Sequence, residues 1–374
     1  MLTPSDDLPI HQTPAPIATP ATGDPNAYDR YFFGGLHTDG ERSFAAAMGH
    51  YPNRGVVDAA FSVVADGVQR SVFASGTMSA DRRTEVGPIR VEVIEPLRTI
   101  RLVVGPNDHG IEADLLYRAR TGAVEEPRTI RHAGSRLVMD YTRLTQWGRW
   151  EGEVVVDGER TVVDADTTVG TRDRSWGIRP VGEATPTNLA PSAPQLFWLW
   201  GPVHFDDRCS HLAVFEEADG QRWLESAVVV PVLSSGDAPT WGVDLGIERM
   251  VGLDHRLQWR PGTREIASAE ITMRRRDGTT VDLRFEPLST FRMRGLGYMH
   301  PHWGHGRAHG ELEVGGESLV LADLDPVDLH NIHVQTACRV TMEGRTGIGL
   351  LEQLVIGEHT PSGLHGILDG HQPG

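Results

Sequence analysis

One carboxylate set among hydroxyls, guanidiniums and indoles gives this chain its clearest chemical possibility. It lies in Thr171-Arg172-Asp173-Arg174-Ser175-Trp176-Gly177-Ile178-Arg179. In an extended segment side chains alternate in direction. Thr171, Asp173 and Ser175 then share one face, and Arg172, Arg174 and Trp176 the other. An acid aimed into an apolar cavity, with the adjacent arginines turned away, keeps its proton near neutral pH because burial penalises the carboxylate. Such an acid can protonate an alkene or an oxygen of a hydrophobic substrate. Trp147, Trp150 and Trp176 lie close by in sequence; indole faces exclude water and stabilise developing positive charge. The plainer readings are an aspartate paired to Arg172, Arg174 or Arg179 at a strand end, and tryptophans packed as core.

A second concentration of chemistry is His300-Pro301-His302-Trp303-Gly304-His305-Gly306-Arg307-Ala308-His309, followed by His330 and His333. Imidazoles at this density can bind zinc, nickel or iron, with Asp323, Asp325 or Asp328 as a carboxylate ligand. Gly304, Gly306 and Gly310 interrupt any regular element that would present the rings together, and the spacing matches no zinc motif. The expectation is therefore histidines hydrogen-bonding a cavity rim, with no metal. Tyr141, His302 and His305 are further candidates for moving protons, and Trp303 for contacting substrate. No Gly-x-Gly-x-x-Gly follows a strand, and neither a phosphate-binding loop nor a Gly-x-Ser-x-Gly elbow is present. What remains is acid/base work on a bound hydrophobic molecule without a cofactor, or binding alone.

The elements that must position these residues read as β-structure. Val56–Val64 and Val68–Met78 flank Asp66-Gly67, and Glu153–Val156 precedes Asp157-Gly158, both hairpin signatures. Ile89–Ile94, Thr99–Val104, Ile111–Ala119, Leu196–Trp200 and several later runs add strands, and long helical periodicity is absent. A short helix is expected around Glu41–Met48, where Ala45-Ala46-Ala47 has the best local propensity. Prolines 4, 9, 14, 16, 20 and 25 make residues 1–28 a tail or wrapping arm. Residues 181–195 read as a Pro/Ala/Ser-rich linker. At 374 residues the chain can hold two domains. Its net charge of −16, with no basic block, argues against nucleic acid. Two cysteines give no disulfide framework, and no apolar run has the length of a membrane span, so a cytoplasmic protein is expected.

Gly148–Glu159 aligns without gaps on Gly306–Glu317 as Gly-Arg-x-x-Gly-Glu-x-x-Val-x-Gly-Glu, which suggests a duplicated hairpin. At the same offset Asp173 falls opposite Asn331, an acid in one half and an amide in the other; Asn331 joins the substrate-contacting candidates.

The Thr171–Gly177 segment resembles the carotenoid 1,2-hydratase (hydroxyneurosporene synthase) superfamily, which has a Tyr-x-Asp-x-x-Trp-Gly-like stretch after a hairpin. Gly304-His305-Gly306-Arg307 and Gly347-Ile348-Gly349-Leu350-Leu351-Glu352 look like uncharacterised bacterial members. The resemblance spans residues 30 to 374. It implies two tandem lipocalin-like antiparallel β-barrels and chemistry on hydrophobic substrates without a redox cofactor: hydration of isoprenoid alkenes, tocopherol cyclisation or intramolecular cycloaddition. Asp173 matches the acid proposed in that superfamily to protonate the alkene. Thr171 stands where the hydratases have tyrosine, and Thr145-Gln146-Trp147 supplies the tryptophan of their His-x-Trp pair but no histidine. Histidines of the second half could substitute if the two barrels face one another.

The expectation is an all-β chain with a tail (1–28), one barrel at 29–187 and another at 188–374. It would be a hydratase, isomerase or cyclase acting on a terpenoid, steroid or polyketide, with Asp173 as general acid. The rivals are a carrier of hydrophobic ligands and a histidine-bound metal hydrolase. The sequence leaves the oligomeric state open.

Overall fold

The structure, a computed structural model, describes residues 1–181 and 194–372. The expected barrel boundary at 187/188 and most of the expected linker lie outside the described residues. Within them the chain is all-β, with helical structure confined to 3₁₀ turns such as Met293–Leu296. None of these helices is long and apolar enough to cross a membrane.

The strands form two antiparallel sheets, the arrangement of tandem lipocalin-like barrels. The first sheet runs in the order Val68–Thr77, Val56–Ala65, Ser43–Tyr51, Ala27–His37, Thr168–Ile178, Arg136–Val156, Ile111–Ala119, Thr99–Val104, Ile89–Glu95, and Leu312–Val320 caps its Val68–Thr77 edge. The second centres on Arg208–Glu216, Leu196–Trp200, Arg345–Ile356, Val334–Met342 and Thr280–Arg292. Asp66-Gly67 and Asp157-Gly158 do form the hairpin tips, with both residues of each pair at positive φ, as a two-residue type I′ turn requires.

Alternation along the strands separates three cores. Phe33, Phe44, Phe61, Tyr117 and Trp150 fill the first barrel, and Phe197, Leu199, Met273 and Phe285 fill the second. Phe32, Ala45, Ala47, Ala60 and Phe73 meet Trp198, Trp200, Ala213, Phe215 and Phe291 between the sheets. Strands buried on both faces lose their polar alternation and read as continuous apolar runs.

This double burial corrects the expected helix at Glu41–Met48. Ser43–Tyr51 is a strand, with Ala46 in the first barrel and Ala45 and Ala47 on the seam between the sheets. Small side chains there let the second sheet approach, and packing overrides helix propensity. The expected duplication is also corrected. Gly158 sits in a turn at φ 83°, whereas Gly315 and Gly316 lie mid-strand, paired with Phe73 and Val72. They are glycines because a Cβ would meet Trp303 at 2.3 Å and His109 at 2.7 Å. The letters agree for unrelated reasons. Asp173 is on a strand and Asn331 in a turn, so the two are not counterparts.

Candidate active site

Asp173 sits mid-strand in Thr168–Ile178, opposite Phe32 on one neighbour and Thr145 on the other. The expected alternation holds along this strand. Thr171 Oγ1 lies 3.1 Å from His204 Nε2 of the second half. Arg172 turns the other way and donates to Gln146 at 2.9 and 2.8 Å; Arg174 pairs with Asp29 and covers Tyr31 at 4.0 Å. The strand thus removes its own arginines into the first barrel. Burial pushes the Asp173 carboxyl up to about 6; Arg143 and Arg179 oppose the rise, and Glu126 and Glu352 add to it. Among the described residues this carboxyl has no hydrogen-bond or ion-pair partner.

The charges around it are fixed by other partners. Arg143, two residues from Thr145 on the same strand face, donates to Glu126 at 3.0 and 2.7 Å and lies over Trp198 at 4.8 Å. Glu126 also accepts from Thr145 Oγ1 at 2.5 Å and Trp200 Nε1 at 3.3 Å. Burial works against the Glu126 carboxylate, but Arg143 and His211 outweigh it and hold its pKa at about 2. Arg179 covers Tyr28 at 4.7 Å and Tyr298 at 5.9 Å. Burial lifts the Tyr28 hydroxyl to about 12, and Tyr141 stands edge-on to that ring at 6.4 Å.

Gly177 lets the strand deliver Arg179. Its φ is 134°, and a Cβ there would lie 2.3 Å from the Asp140 carbonyl oxygen. A Gly177→Ala variant should lose about 1–3 kcal/mol of stability, read as a lower urea midpoint at unchanged slope.

The second sheet supplies the opposite wall. Gln335 and Glu352 pair across adjacent strands, and Gln335 Nε2 donates to Glu352 at 2.7 Å. Trp198 Nε1 donates to the same carboxylate at 3.2 Å, and His333 Nε2 lies 2.8 Å from it. Burial opposes the Glu352 charge, but His333, Gln335 and Arg143 prevail and keep its pKa below the ordinary value. A carboxylate only accepts, so the proton of a neutral His333 is on Nε2 and its lone pair on Nδ1. That Nδ1 is buried without a partner. Tyr298 packs edge-on to His333 at 4.7 Å and to His305 at 4.4 Å.

The expected site residues are scattered. Trp147 shares the Asp173 face and lies 6.2 Å from the His211 ring, with its Nε1 unpartnered. Trp150 is first-barrel core, donating to Gly34 O at 3.0 Å, and Trp176, 43% exposed, lines an outer cleft with Trp241. These two do not share the Asp173 face, because even-numbered residues of their strands point away from it. Trp303 stacks on Phe73 at 5.5 Å. His305 is half-buried between Arg30, 2.7 Å from Nδ1, and Leu296 O, 2.8 Å from Nε2; desolvation first and then the nearby arginines push its pKa well below the usual value. His302 is on the surface beside Glu313. Asn331 Nδ2 closes its own turn on Asp325 O at 3.0 Å.

Sequence reasoning missed Glu126, Arg143, Tyr298 and Glu352 as site residues, and named Arg179 and His333 only as an ion-pair partner and a metal-ligand candidate. The available signal was register: the alternation of Leu196–Trp200 puts Trp198 and Trp200 on one face, and the pairing of Val334–Met342 with Arg345–Ile356 brings Gln335 to Glu352.

A space of about 480 Å³ opens at the mouth of the first barrel among Phe44, Val63, Val154 and Val163, with Arg42, Arg70 and Asp157 at its rim.

The chain belongs to the family of unknown function DUF8625, which matches residues 2–365. No curated protein matches the sequence. Two solved structures share the fold. A candidate AttH from Nitrosomonas europaea is 11% identical with a TM-score of 0.54, covering 88% of this chain and 92% of that one. Kievitone hydratase from Nectria haematococca is 13% identical with a TM-score of 0.52, covering 89% and 91%.

Proposed function

We propose that this member of an uncharacterised family is a cofactor-independent hydratase, isomerase or cyclase of the carotenoid 1,2-hydratase-like superfamily. It would act on a hydrophobic terpenoid, steroid or polyketide held in the seam between its sheets. The observation that carries this reading is the divergence of two carboxylates: Asp173 is pushed up to about 6, while Glu352, close enough to act on it, is held below its ordinary value. Environments that drive two nearby carboxylates apart keep one protonated as the acid and the other charged, here holding the histidine that serves as base. The protonated Asp173 donates to a substrate alkene or oxygen, and the rings of Phe32, Trp198 and Tyr298 shield the cation that forms. His333 Nδ1, with its ring oriented by Glu352, accepts a proton from attacking water in a hydration, or from an adjacent carbon in an isomerisation or cyclisation. Protons balance once one returns to Asp173, and no electrons are transferred. The overall likeness to a hydratase fold is in keeping with this reading.

Native mass spectrometry of the protein with its co-purified small molecules is the first experiment. A bound isoprenoid, steroid or polyketide, then turned over by the purified protein, supports the proposal. The acid must be protonated, so turnover should fall about tenfold per unit above about pH 6. A rate that rises through this range would exclude Asp173 as the acid. The barrel-mouth space favours a second reading, a carrier. Binding without turnover of any ligand would select it.

A further inference from the structure

We propose that His302, His309 and Glu313 form a binding site for a divalent transition-metal ion of the zinc class, separate from the seam. His302 Nε2 lies 2.9 Å from Glu313 Oε1, and His309 Nδ1 lies 3.0 Å from Oε2. One donor atom from each residue falls within 4.8 Å of the others, and the two rings are 4.4 Å apart. Zinc takes imidazole nitrogen and carboxylate oxygen at about 2.0–2.2 Å, which puts the corners of a tetrahedron about 3.3 Å apart. The two short contacts, made to opposite oxygens of Glu313, fall just under that value, and the donor set as a whole stays within 4.8 Å.

The three side chains differ in how firmly they are held. His309 is 10% exposed and rests against Trp303 at 5.0 Å, so it is the fixed ligand. His302 and Glu313 are 54% and 40% exposed and are free to close on an ion. Their exposure leaves a fourth position for water, which suits two histidines and one carboxylate. The expected carboxylate ligands Asp323, Asp325 and Asp328 belong to the turns after this strand and are not part of the group.

The location gives the ion a structural role. The two histidines are on the loop that carries Trp303 onto Phe73 and His305 onto Arg30. Glu313 is on Leu312–Val320, the strand that caps the first sheet. An ion held by all three ties the loop to that strand and fixes Trp303 and His305 in place. It takes no part in the proposed proton transfer, so its test does not depend on activity.

The test is calorimetric titration of zinc into untagged, chelator-stripped protein, alongside thermal melting. One zinc per chain should bind saturably, and Tm should rise with zinc concentration. Losing an outer-shell partner of a metal already costs about 10–100-fold in affinity, so His309→Ala or Glu313→Gln should cost more than about a hundredfold. His37, which pairs with Asp39 on the surface, is the control, and His37→Ala should bind as the parent does. If His309→Ala fails to fold, His302→Ala, which removes an exposed ring, gives the same reading. Absence of saturable one-to-one binding, or equal binding by all variants, overturns the proposal.

Discussion

Replacing Asp173 with asparagine should abolish turnover while leaving ligand affinity nearly intact. Asparagine keeps the shape of the side chain and cannot donate an acidic proton, so the loss expected of a missing general acid is ~10²–10⁴-fold. In the proposed site the rings and the shape of the seam would hold the ligand, and the substitution alters neither. Stability should move the other way. The Asp173 carboxyl has a folded pKa of about 6 against an ordinary value of 3.8, so its neutral form suits the fold and its charged form does not. The stability it allows is complete below pH 3.8 and declines as pH rises through about 6. By linkage the decline is on the order of 3 kcal/mol. At pH 8 the asparagine variant should therefore resist urea better than the parent protein, and the two should converge near pH 4. A variant that is both inactive and less stable at pH 8 would show that the acid supports the fold instead of catalysis.

The second large effect is expected at Glu126 and Arg143. Glu126 is buried, and Arg143, 13% exposed, lies over Trp198 and Trp200. Removing one partner leaves the other charge uncompensated in a poorly solvated place, which costs about 3–5 kcal/mol. Arg143→Met and Glu126→Gln should each lower the urea midpoint by an amount of that size, and the double variant should recover much of it. The singles should also shift the pH profile of turnover in opposite directions. Arg143 lowers the Asp173 pKa and Glu126 raises it. Loss of the arginine moves the falling limb to higher pH, and loss of the glutamate moves it lower. Shifts in the same direction would show that neither charge acts on Asp173.

The all-β architecture was legible because Asp-Gly tips between alternating runs have a local cause that survives folding. The Asp173 face was legible for the same reason, since a period of two is a property of the strand itself. Ala45-Ala46-Ala47 misled because its composition answers to two cores that meet on one strand, and no window of sequence shows the second core. The Gly-Arg-Gly-Glu repeat misled because glycine serves turns and close approaches alike. Glu126, His333 and Glu352 are brought to the site by pairing and by sheet-on-sheet packing. Only the Gln335–Glu352 pairing could have been worked out by counting residues along a hairpin.

The Leu312–Val320 strand has a consequence for biosynthesis. It completes the sheet begun by Ala27–His37, yet it is translated after most of the second sheet. While the ribosome is still making the intervening residues, the backbone amides and carbonyls of Val68–Thr77 have no outer neighbour, and an open edge of this kind recruits foreign strands. Protection for the first sheet therefore arrives late, from a strand that follows most of the second sheet along the chain.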